Sequence, residues 1–328
     1  MALAASVDGW GRIHCVERLS GTQDPQIRDW LLREGYRNSV MYDYTALIAA
    51  ETGGLLGALR QDHVDRAVLT AAGDILAALL EYGPGDTIED YGDGLDALEQ
   101  YLTLMRTRAE TVSDYVTVSR IRDFVDSEIQ PPGWDTGRRQ ALRHMCTEIL
   151  AADDWHRRCT AVLRDDDADD TEVWAARKVA QDLGIDTFDL TFRRLERNPL
   201  SSDWFDAWQG ADTGRANRLV ELARSRLPVQ AIASGPRDAL GVGPGWEAHH
   251  ALDWTLQALR DHPGIGGDLL IAGLQSPMTG NRNMAVLALQ RWPVEVWPPE
   301  ARRHLEAVAT SDPSEGLRTM VRQWLRGT

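Results

Sequence analysis

The chain has 328 residues, of which 43% are hydrophobic and 26% are charged, and its formal net charge is −15 at pH 7. This length exceeds the roughly 250–300 residues that one hydrophobic core supports, so we expect two lobes or one elongated stack. The absence of any run of about 18 apolar residues excludes a membrane-spanning helix, and the acidic balance argues against nucleic acid as the main partner.

Targeting and redox features predict a cytoplasmic protein. Residues 1–7 lack the basic start and long apolar stretch of a signal peptide. The three cysteines are odd in number and widely spaced, so they do not form a disulfide framework and favour a reducing compartment. Arginine far outnumbers lysine, since Lys178 is the only lysine, and this usage indicates a GC-rich coding genome.

In the first 130 residues, apolar residues recur at helical spacing, and no segment there or later shows convincing strand alternation. Asp24-Pro25 is a typical helix start, because proline is tolerated in the first turn. Asn38 or Ser39 is a suitable cap for the next helix. The predicted helices of this part are one opening at Asp8, one beginning at Asp24, one capped at residue 38 or 39, and those of residues 63–82, 95–109 and 112–129.

Three stretches rich in glycine and proline interrupt the pattern, at residues 83–94, 131–133 and 231–245. We therefore expect four segments: N-terminal helices in 1–82, a loop and helical hairpin in 83–130, a middle helical segment in 131–240, and C-terminal repeats in 241–328. The pattern weakens after Pro199, where a short helix is expected within 201–209. The last predicted helices are 216–227, 246–261, 266–274, 281–291, 298–309 and 315–326.

An internal repeat marks the C-terminal segment. The spaced set Arg282, Ala285 and Leu289 returns 36 residues later as Arg318, Val321 and Leu325. Arg12, Cys15 and Leu19 fit the same frame near the N-terminus. A period of this size carried by helices predicts stacked helix pairs.

The dipeptide Gly-Trp precedes or opens three predicted helices, at Trp10, Trp134 and Trp246. A tryptophan at the start of a helix can fold over its first turn as a hydrophobic staple. We therefore interpret these three tryptophans as a repeated structural device.

Residues 312–325, which read Asp-Pro-Ser-Glu-Gly-Leu-Arg-Thr-Met-Val-Arg-Gln-Trp-Leu, resemble the core of a HEAT repeat, as do residues 281–289. Asp24-Pro25-Gln26-Ile27-Arg28 carries half of that motif. The resemblance is to bacterial HEAT-repeat proteins and implies an all-α, HEAT-like α-solenoid of antiparallel helix pairs, here with an irregular middle. In that family an arginine of the second helix pairs with a loop aspartate of a neighbouring repeat. The resemblance assigns this structural role to Arg282 and Arg318, with Arg12 as the N-terminal match and Asp312 as a partner.

Two sets of polar and aromatic residues are candidate ligand- or partner-binding positions. The first is Arg37, Asn38, Tyr42, Asp43 and Tyr44, and the second is His249, His250 and Trp254. In HEAT-repeat proteins the second helices line the concave face, so these residues are placed to meet a ligand there. The alternative for both sets is helix capping, core packing and contacts between repeats.

Several other patterns are weaker as functional signals. His144, Cys146, His156 and Cys159 have the residue types of a zinc site, but both cysteines are in phase with apolar residues and are better interpreted as buried side chains. The aspartates of 165–170 lack the spacing of a calcium loop and predict a solvated turn. Residues 241–245 lack the strand and lysine of a phosphate-binding loop and predict a connector. No metal or cofactor is therefore expected, and no catalytic residue is assigned.

The function expected from this sequence is non-catalytic binding or scaffolding of another protein in the cytoplasm by a helical solenoid. One alternative is a small-molecule binder or a helper enzyme of a tailoring pathway. A second is a HEAT-like alkylpurine DNA glycosylase, which the net charge of −15 disfavours. Iron hydroxylases built on HEAT repeats use His-Glu pairs, and this chain contains no such dipeptide.

Overall fold

A computed structural model describes residues 9–20, 22, 24–35, 54–82, 92–128 and 134–326. In these residues the regular structure is helical, apart from one isolated parallel bridge between Ala239 and Met278. The prediction of an all-α fold is therefore confirmed. Among the helices of the described ranges, none is both long enough and apolar enough to cross a membrane.

The chain divides into two compact units, Met1–Ile185 and Asp186–Thr328. This division falls within the predicted middle helical segment, residues 131–240. The boundaries expected after residues 82, 130 and 240 each lie inside one of the two units.

The helices of the first unit are joined by short turns wherever the connection is described. They are α1 (Gly9–Ser20), α2 (Pro25–Trp30, followed by a π-helical turn at Leu31–Gly35), α3 (Gly54–Leu59), α4 (Arg66–Tyr82), α5 (Gly92–Arg108), α6 (Val112–Asp126), α7 (Thr136–Leu150), α8 (Trp155–Arg164) and α9 (Asp170–Asp182).

Side-chain caps fix where several of these helices begin. At α2, Asp24 Oδ1 accepts hydrogen bonds from the backbone N–H groups of Gln26 and Ile27, at 2.8 and 3.4 Å. At α6, Thr111 and Asp114 form a reciprocal capping box, which satisfies two backbone donors that a helix start leaves without partners. Both starts agree with the sequence prediction, although α6 ends at Asp126 rather than 129.

Helices two or three positions apart in the first unit pack against each other. α3 contacts α5 and α5 contacts α7, while α4 contacts α6 and α6 contacts α9. Ile75 of α4 and Val118 and Ile121 of α6 are fully buried. Each such side chain contributes about 1.5–3 kcal/mol when it leaves water, so the apolar faces of α4 and α6 hold this series together.

An ion pair joins the starts of α4 and α6. Arg66 Nη2 donates to Asp114 Oδ1, and also to Thr111 Oγ1 at 3.1 Å. Asp114 is only 3% exposed, and its Oδ2 accepts from the backbone N–H groups of Glu110 and Thr111, both at 2.8 Å. The buried carboxylate thus has charged and neutral donors, which is the condition for burying a charge without a large penalty.

The helices of the second unit continue to residue 325. They are α10 (Phe188–Arg197), α11 (Asp203–Trp208), α12 (Thr213–Arg226), α13 (Val229–Ile232), α14 (Glu247–Leu259), α15 (Gly267–Leu274), α16 (Thr279–Arg291), α17 (Ala301–Ser311) and α18 (Glu315–Leu325), with a 3₁₀ turn at Val294–Val296.

The C-terminal helices of the second unit pack as consecutive pairs. α15 packs on α16 and α17 on α18, while α15 also contacts α17 and α14 contacts α16. Gly273 of α15 allows the closest approach, because a Cβ atom there would lie 2.7 Å from Leu256 Cδ1 and 3.1 Å from Ala285 Cβ. The small residue at 285 and the glycine at 273 therefore let α14, α15 and α16 share one core.

Arg282 of α16 is fully buried and donates from all three of its guanidinium nitrogens. Nε and Nη2 donate to the two carboxylate oxygens of Asp312, at 2.7 and 2.9 Å. Nη1 donates to the backbone carbonyls of Arg237, Ser276 and Pro277, at 2.8, 2.9 and 3.0 Å. One side chain thereby ties the α15–α16 loop, the α17–α18 loop and the 233–246 connector together.

Arg318 of α18 repeats part of this arrangement 36 residues later. Its Nη1 donates to the backbone carbonyls of Asp312 and, at 3.2 Å, of Pro313. These carbonyls stand six and five residues before Arg318, as those of Ser276 and Pro277 do before Arg282. The two helix pairs therefore reproduce the same loop-to-helix bonding, and Asp312 serves both the arginine before it and the arginine after it.

We expect Asp312→Asn to lower the free energy of unfolding by about 3–5 kcal/mol, because it leaves the Arg282 guanidinium buried without its counter-charge. Asp189→Asn is the matched control, since Asp189 pairs with Arg218 at 3.0 Å on the surface and such pairs contribute about 0–1 kcal/mol. Urea denaturation of both variants measures the difference. Equal losses would show that burial of the Arg282 pair does not govern the stability of this unit.

Candidate functional site

The first predicted set of binding residues lies outside the described residues: it consists of Arg37, Asn38, Tyr42, Asp43 and Tyr44. The side chains of Trp10 and Arg12 also lie outside the described part. The remaining predicted binding residues, His249, His250 and Trp254, all belong to α14.

His250 ties the start of α14 to the glycine-rich connector. Its Nε2 lies 2.9 Å from the carbonyl oxygen of Gly241. Gly241 has φ of +74°, and a Cβ atom there would lie 2.8 Å from Met278 Sδ. The positive φ and the close approach to Met278 both favour glycine at this position. The connector can therefore lie close to Met278 and place the carbonyl oxygen of Gly241 beside His250.

His249 and Asp253 form a second, more enclosed part of α14. Neither ring nitrogen of His249 nor Oδ1 of Asp253 has a hydrogen-bond partner among the described residues, and all three atoms are buried. Burial lowers the pKa of His249, with a smaller effect of His250 in the same direction. Burial raises the pKa of Asp253, an effect that His250 opposes. Both side chains therefore favour their neutral forms relative to the free amino acids.

The two indole rings near α14 have different surroundings. Trp246 precedes α14, and its ring centroid lies 4.7 Å from that of His249. Trp254 instead packs against Phe205 of α11, with centroids 5.0 Å apart and ring planes at 63°. Each residue of a helix turns the side chain by about 100°, so the five residue steps from His249 to Trp254 turn it by about 140°. His249 and Trp254 therefore lie on different sides of α14.

Trp254 lines a groove of about 450 Å³ between α11 and α14. From α14 and the turn after it come Trp254, Gln257, Ala258 and Asp261, spaced so that they share one helical face. The opposite wall is formed by α11 and the residues that follow it, and the turn after α14 closes one end. Those lining residues are Phe205, Trp208, Gln209, Gly210, Ala211 and His262. We call this the aromatic groove.

Trp208 anchors the base of the aromatic groove. It is 6% exposed, and its Nε1 donates to Thr255 Oγ1 at 3.4 Å. Its ring lies 5.6 Å from that of His262. Phe205, by contrast, is 43% exposed, so the groove has a fixed aromatic base and an exposed aromatic rim.

Charge in the aromatic groove comes from Asp261. Its Oδ1 accepts from Arg291 Nε at 3.0 Å, and both side chains are more than half exposed. No lysine or arginine is among the residues that line the groove. The groove therefore combines three large aromatic side chains with one carboxylate.

Other tryptophans of this unit have clear structural roles. Trp204 Nε1 donates to the carbonyl of Pro199 at 2.8 Å and Trp292 Nε1 to that of Leu259 at 2.7 Å. Trp297 Nε1 donates to the carbonyl of Trp292 at 3.1 Å. Trp254 has no such bond within the described residues, and its ring borders the groove.

An exposed apolar loop tip lies near the same helix. Leu240 and Val242 are 80% and 82% exposed. The intervening Gly241 is held by His250, which precedes Trp254 by four residues on α14 and so lies one helical turn from it. The loop tip and the aromatic groove thus lie close to the same stretch of α14.

Sequence reasoning missed Phe205, Trp208, Asp261 and His262. The α11 pattern was weak, and nothing in it indicates that its rings meet a helix beginning 40 residues later. The usable signal was the spacing of Phe205, Trp208 and Gln209, which is that of one helical face.

Cys146 and Cys159 are both buried, as their apolar spacing predicted. Burial raises the pKa of Cys146 to about 12 and that of Cys159 to about 11, which disfavours the thiolate that zinc requires. The side chain of His144 is 72% exposed, so it does not share the buried surroundings of the two cysteines. In the described ranges no three His, Cys, Asp or Glu side chains converge as metal ligands.

Two of the aspartates of residues 165–170 accept hydrogen bonds from backbone groups close to them in the chain. Asp169 Oδ1 accepts from the backbone N–H of Glu172 at 2.8 Å and so caps α9. Asp165 Oδ1 accepts from the backbone N–H of Asp167 at 3.0 Å. These contacts are typical of a turn between two helices.

Comparison with protein-family models found no match, and searches of curated proteins and of solved structures found none either.

We expect Asp253→Asn to stabilise the protein at pH 8 and to lose that advantage in acid. Because burial raises the pKa of Asp253 in the folded state, the cost of its carboxylate to stability grows as the pH rises above 3.8 and is complete above the folded pKa. Below the ordinary value of 3.8 it is protonated in both states and the cost disappears. Thermal melting of wild type and variant between pH 4 and pH 8 measures this difference.

His249 provides the internal control, because both proteins carry it. Its pKa is lowered from 6.5, so the neutral imidazole contributes to the stability of the folded state above pH 6.5. Both proteins lose this stability as the pH falls through the folded pKa of His249. A constant difference in melting temperature across the range would contradict the burial of an ionised Asp253.

Proposed function

We propose that the protein is a non-catalytic binding protein built from HEAT-like helix pairs, and that its second unit holds a segment of a protein partner in the aromatic groove. The observation that supports this proposal most is the direct ring contact between the partly exposed Phe205 and Trp254 at the aromatic groove. Exposed aromatic side chains beside a fixed aromatic base are typical of the energetic centre of protein interfaces.

The helix-pair part of the proposal has independent support. α15–α16 and α17–α18 are consecutive pairs whose first helices contact each other. Arg282 and Arg318 make equivalent bonds to their own loops, and Asp312 links one pair to the next. Helix pairs of this kind stack into α-solenoids, which is the architecture we propose for this chain.

Binding rather than catalysis is supported by the side chains of the groove. Among the described lining residues there is no serine, threonine, cysteine or lysine, side chains that commonly act as nucleophiles. His262 packs against Trp208. The polar groups that remain, Gln209, Gln257 and Asp261, are suited to fixing the orientation of a bound group at the rim.

The exposed loop tip enlarges the surface available to a partner. Leu240 and Val242 add aliphatic side chains about one helical turn along α14 from Trp254. A partner segment that follows α14 would contact both the loop tip and the aromatic groove. The same proposal places the protein in the cytoplasm, and its three free cysteines support a reducing compartment.

A small-molecule ligand is the second candidate, because about 450 Å³ lies within the 300–1,000 Å³ range of ligand pockets. The groove contributes two amides, one carboxylate and one imidazole to such a ligand. No feature of the groove supplies the cationic surface that a DNA-binding enzyme needs.

We expect Phe205→Ser to abolish or greatly reduce capture of the partner from lysate of the source organism, since it removes the exposed aromatic rim. Leu200→Ser is the matched control, because Leu200 is 45% exposed and is not a groove residue. Affinity capture with quantitative mass spectrometry of both variants and wild type measures the effect, with melting temperatures to establish that all three are folded. A partner retained equally by Phe205→Ser would show that binding does not use this groove.

A further inference from the structure

We infer that the aromatic groove takes a cationic side chain, the guanidinium of arginine or the ammonium of lysine, from the protein partner. This inference rests on the proposed function and names the chemistry of the group that enters the groove. The observation behind it is that the aromatic rings of Phe205, Trp208 and Trp254 line the groove together with the carboxylate of Asp261.

The rings provide the attraction for a cation. The face of an aromatic ring is electron-rich, and a cation within about 6 Å of its centre gains roughly 0.5–2 kcal/mol, with tryptophan the strongest partner. The planes of Phe205 and Trp254 meet at 63°, so the two rings form the walls of a corner rather than a flat stack. Trp208 lies at its base.

Other aromatic rings of the same unit already contact arginine side chains. In the same unit, the guanidinium carbon of Arg218 lies 4.4 Å from the ring centre of Phe192 and 4.9 Å from that of Phe188. The guanidinium carbon of Arg215 lies 4.7 Å from the ring centre of Phe188. The aromatic groove presents comparable rings without a cation of its own among the lining residues.

Charge complementarity selects a cation over an anion. Among the described lining residues, Asp261 is the only lysine, arginine, aspartate or glutamate, and the chain as a whole carries a net charge of −15. An anionic group would meet the Asp261 carboxylate and the electron-rich ring faces. The amide oxygens of Gln209 and Gln257 add neutral acceptors for the N–H groups of a guanidinium.

Arg291 acts as an internal competitor for Asp261. Its Nε lies 3.0 Å from Asp261 Oδ1, in a pair that is more than half exposed. Such a pair contributes little stability, so an incoming cation displaces or shares it at small cost. Removing Arg291 should therefore strengthen binding, whereas removing Asp261 should weaken it.

A direct test uses small probes with a single cationic group. N-acetyl-arginine amide is titrated into the full chain, and the indole N–H signal of Trp254, assigned from Trp254→Phe, is followed by NMR. The matched neutral probe is N-acetyl-citrulline amide, which keeps the shape of arginine without its charge. We expect saturable shifts with the arginine probe and about tenfold weaker binding of the citrulline probe, as loss of a cation–aromatic contact of about 1.4 kcal/mol predicts.

Two substitutions then place the charge effect at the groove. We expect Asp261→Asn to weaken binding of the arginine probe severalfold and Arg291→Gln to strengthen it. Asp189→Asn changes the net charge as Asp261→Asn does, but at another exposed ion pair, and should leave binding unchanged. An equal effect of Asp189→Asn would assign the attraction to the overall charge and overturn the inference.

The outcomes separate this inference from the proposed function. If both probes bind alike, or neither shifts the Trp254 signal, the cationic side chain is excluded, while groove-dependent capture of a protein still supports the proposed function. If the arginine probe binds but capture from lysate does not depend on Phe205, the groove serves a free organic cation and the protein-partner proposal fails.

Discussion

The second unit depends on one buried charge. A guanidinium removed from water is tolerated only when its donors and its charge are both satisfied, and Arg282 meets that condition with one carboxylate and the carbonyls of two separate segments. Because the donors of a guanidinium are planar and fixed in direction, those acceptors must hold defined positions. The α15–α16 loop, the α17–α18 loop and the connector before α14 are thereby placed relative to one another, which explains why irregular, glycine-containing chain near Gly241 adopts a definite path.

This frame determines where the aromatic groove lies. α14 packs on α16, which carries Arg282, and also contacts α11, which carries Phe205 and Trp208. Leu252, Thr255 and Leu256 of α14 are buried, while Trp254 borders the groove. The proposed binding site therefore lies on a helix that also contributes to the buried core.

The sequence predicted the parts of this arrangement that depend on local spacing. Apolar periodicity located α4, α6 and α14 to α18 but not the short helices α3 and α13, and the resemblance to HEAT repeats suggested Asp312 as a partner of Arg282. It could not predict Phe205, because a six-residue helix carries too little periodicity and the value of its exposed ring depends on α14, which begins 42 residues later. It also grouped His249, His250 and Trp254 as one set, although the five residue steps from His249 to Trp254 turn a side chain by about 140°. His249 lies against Trp246, whereas Trp254 lies against Phe205.

The surroundings of four tryptophans in the second unit separate structural rings from the ring at the groove. The indole N–H groups of Trp204, Trp292 and Trp297 each donate to a backbone carbonyl, as a buried indole prefers. These three rings stabilise turns and helix ends without any ligand. Trp254 differs, because its ring packs on the exposed Phe205 and borders a space that also contains the Asp261 carboxylate. The proposed partner group, apolar along its stem and positive at its end, would contact Phe205, Trp254 and Asp261 together.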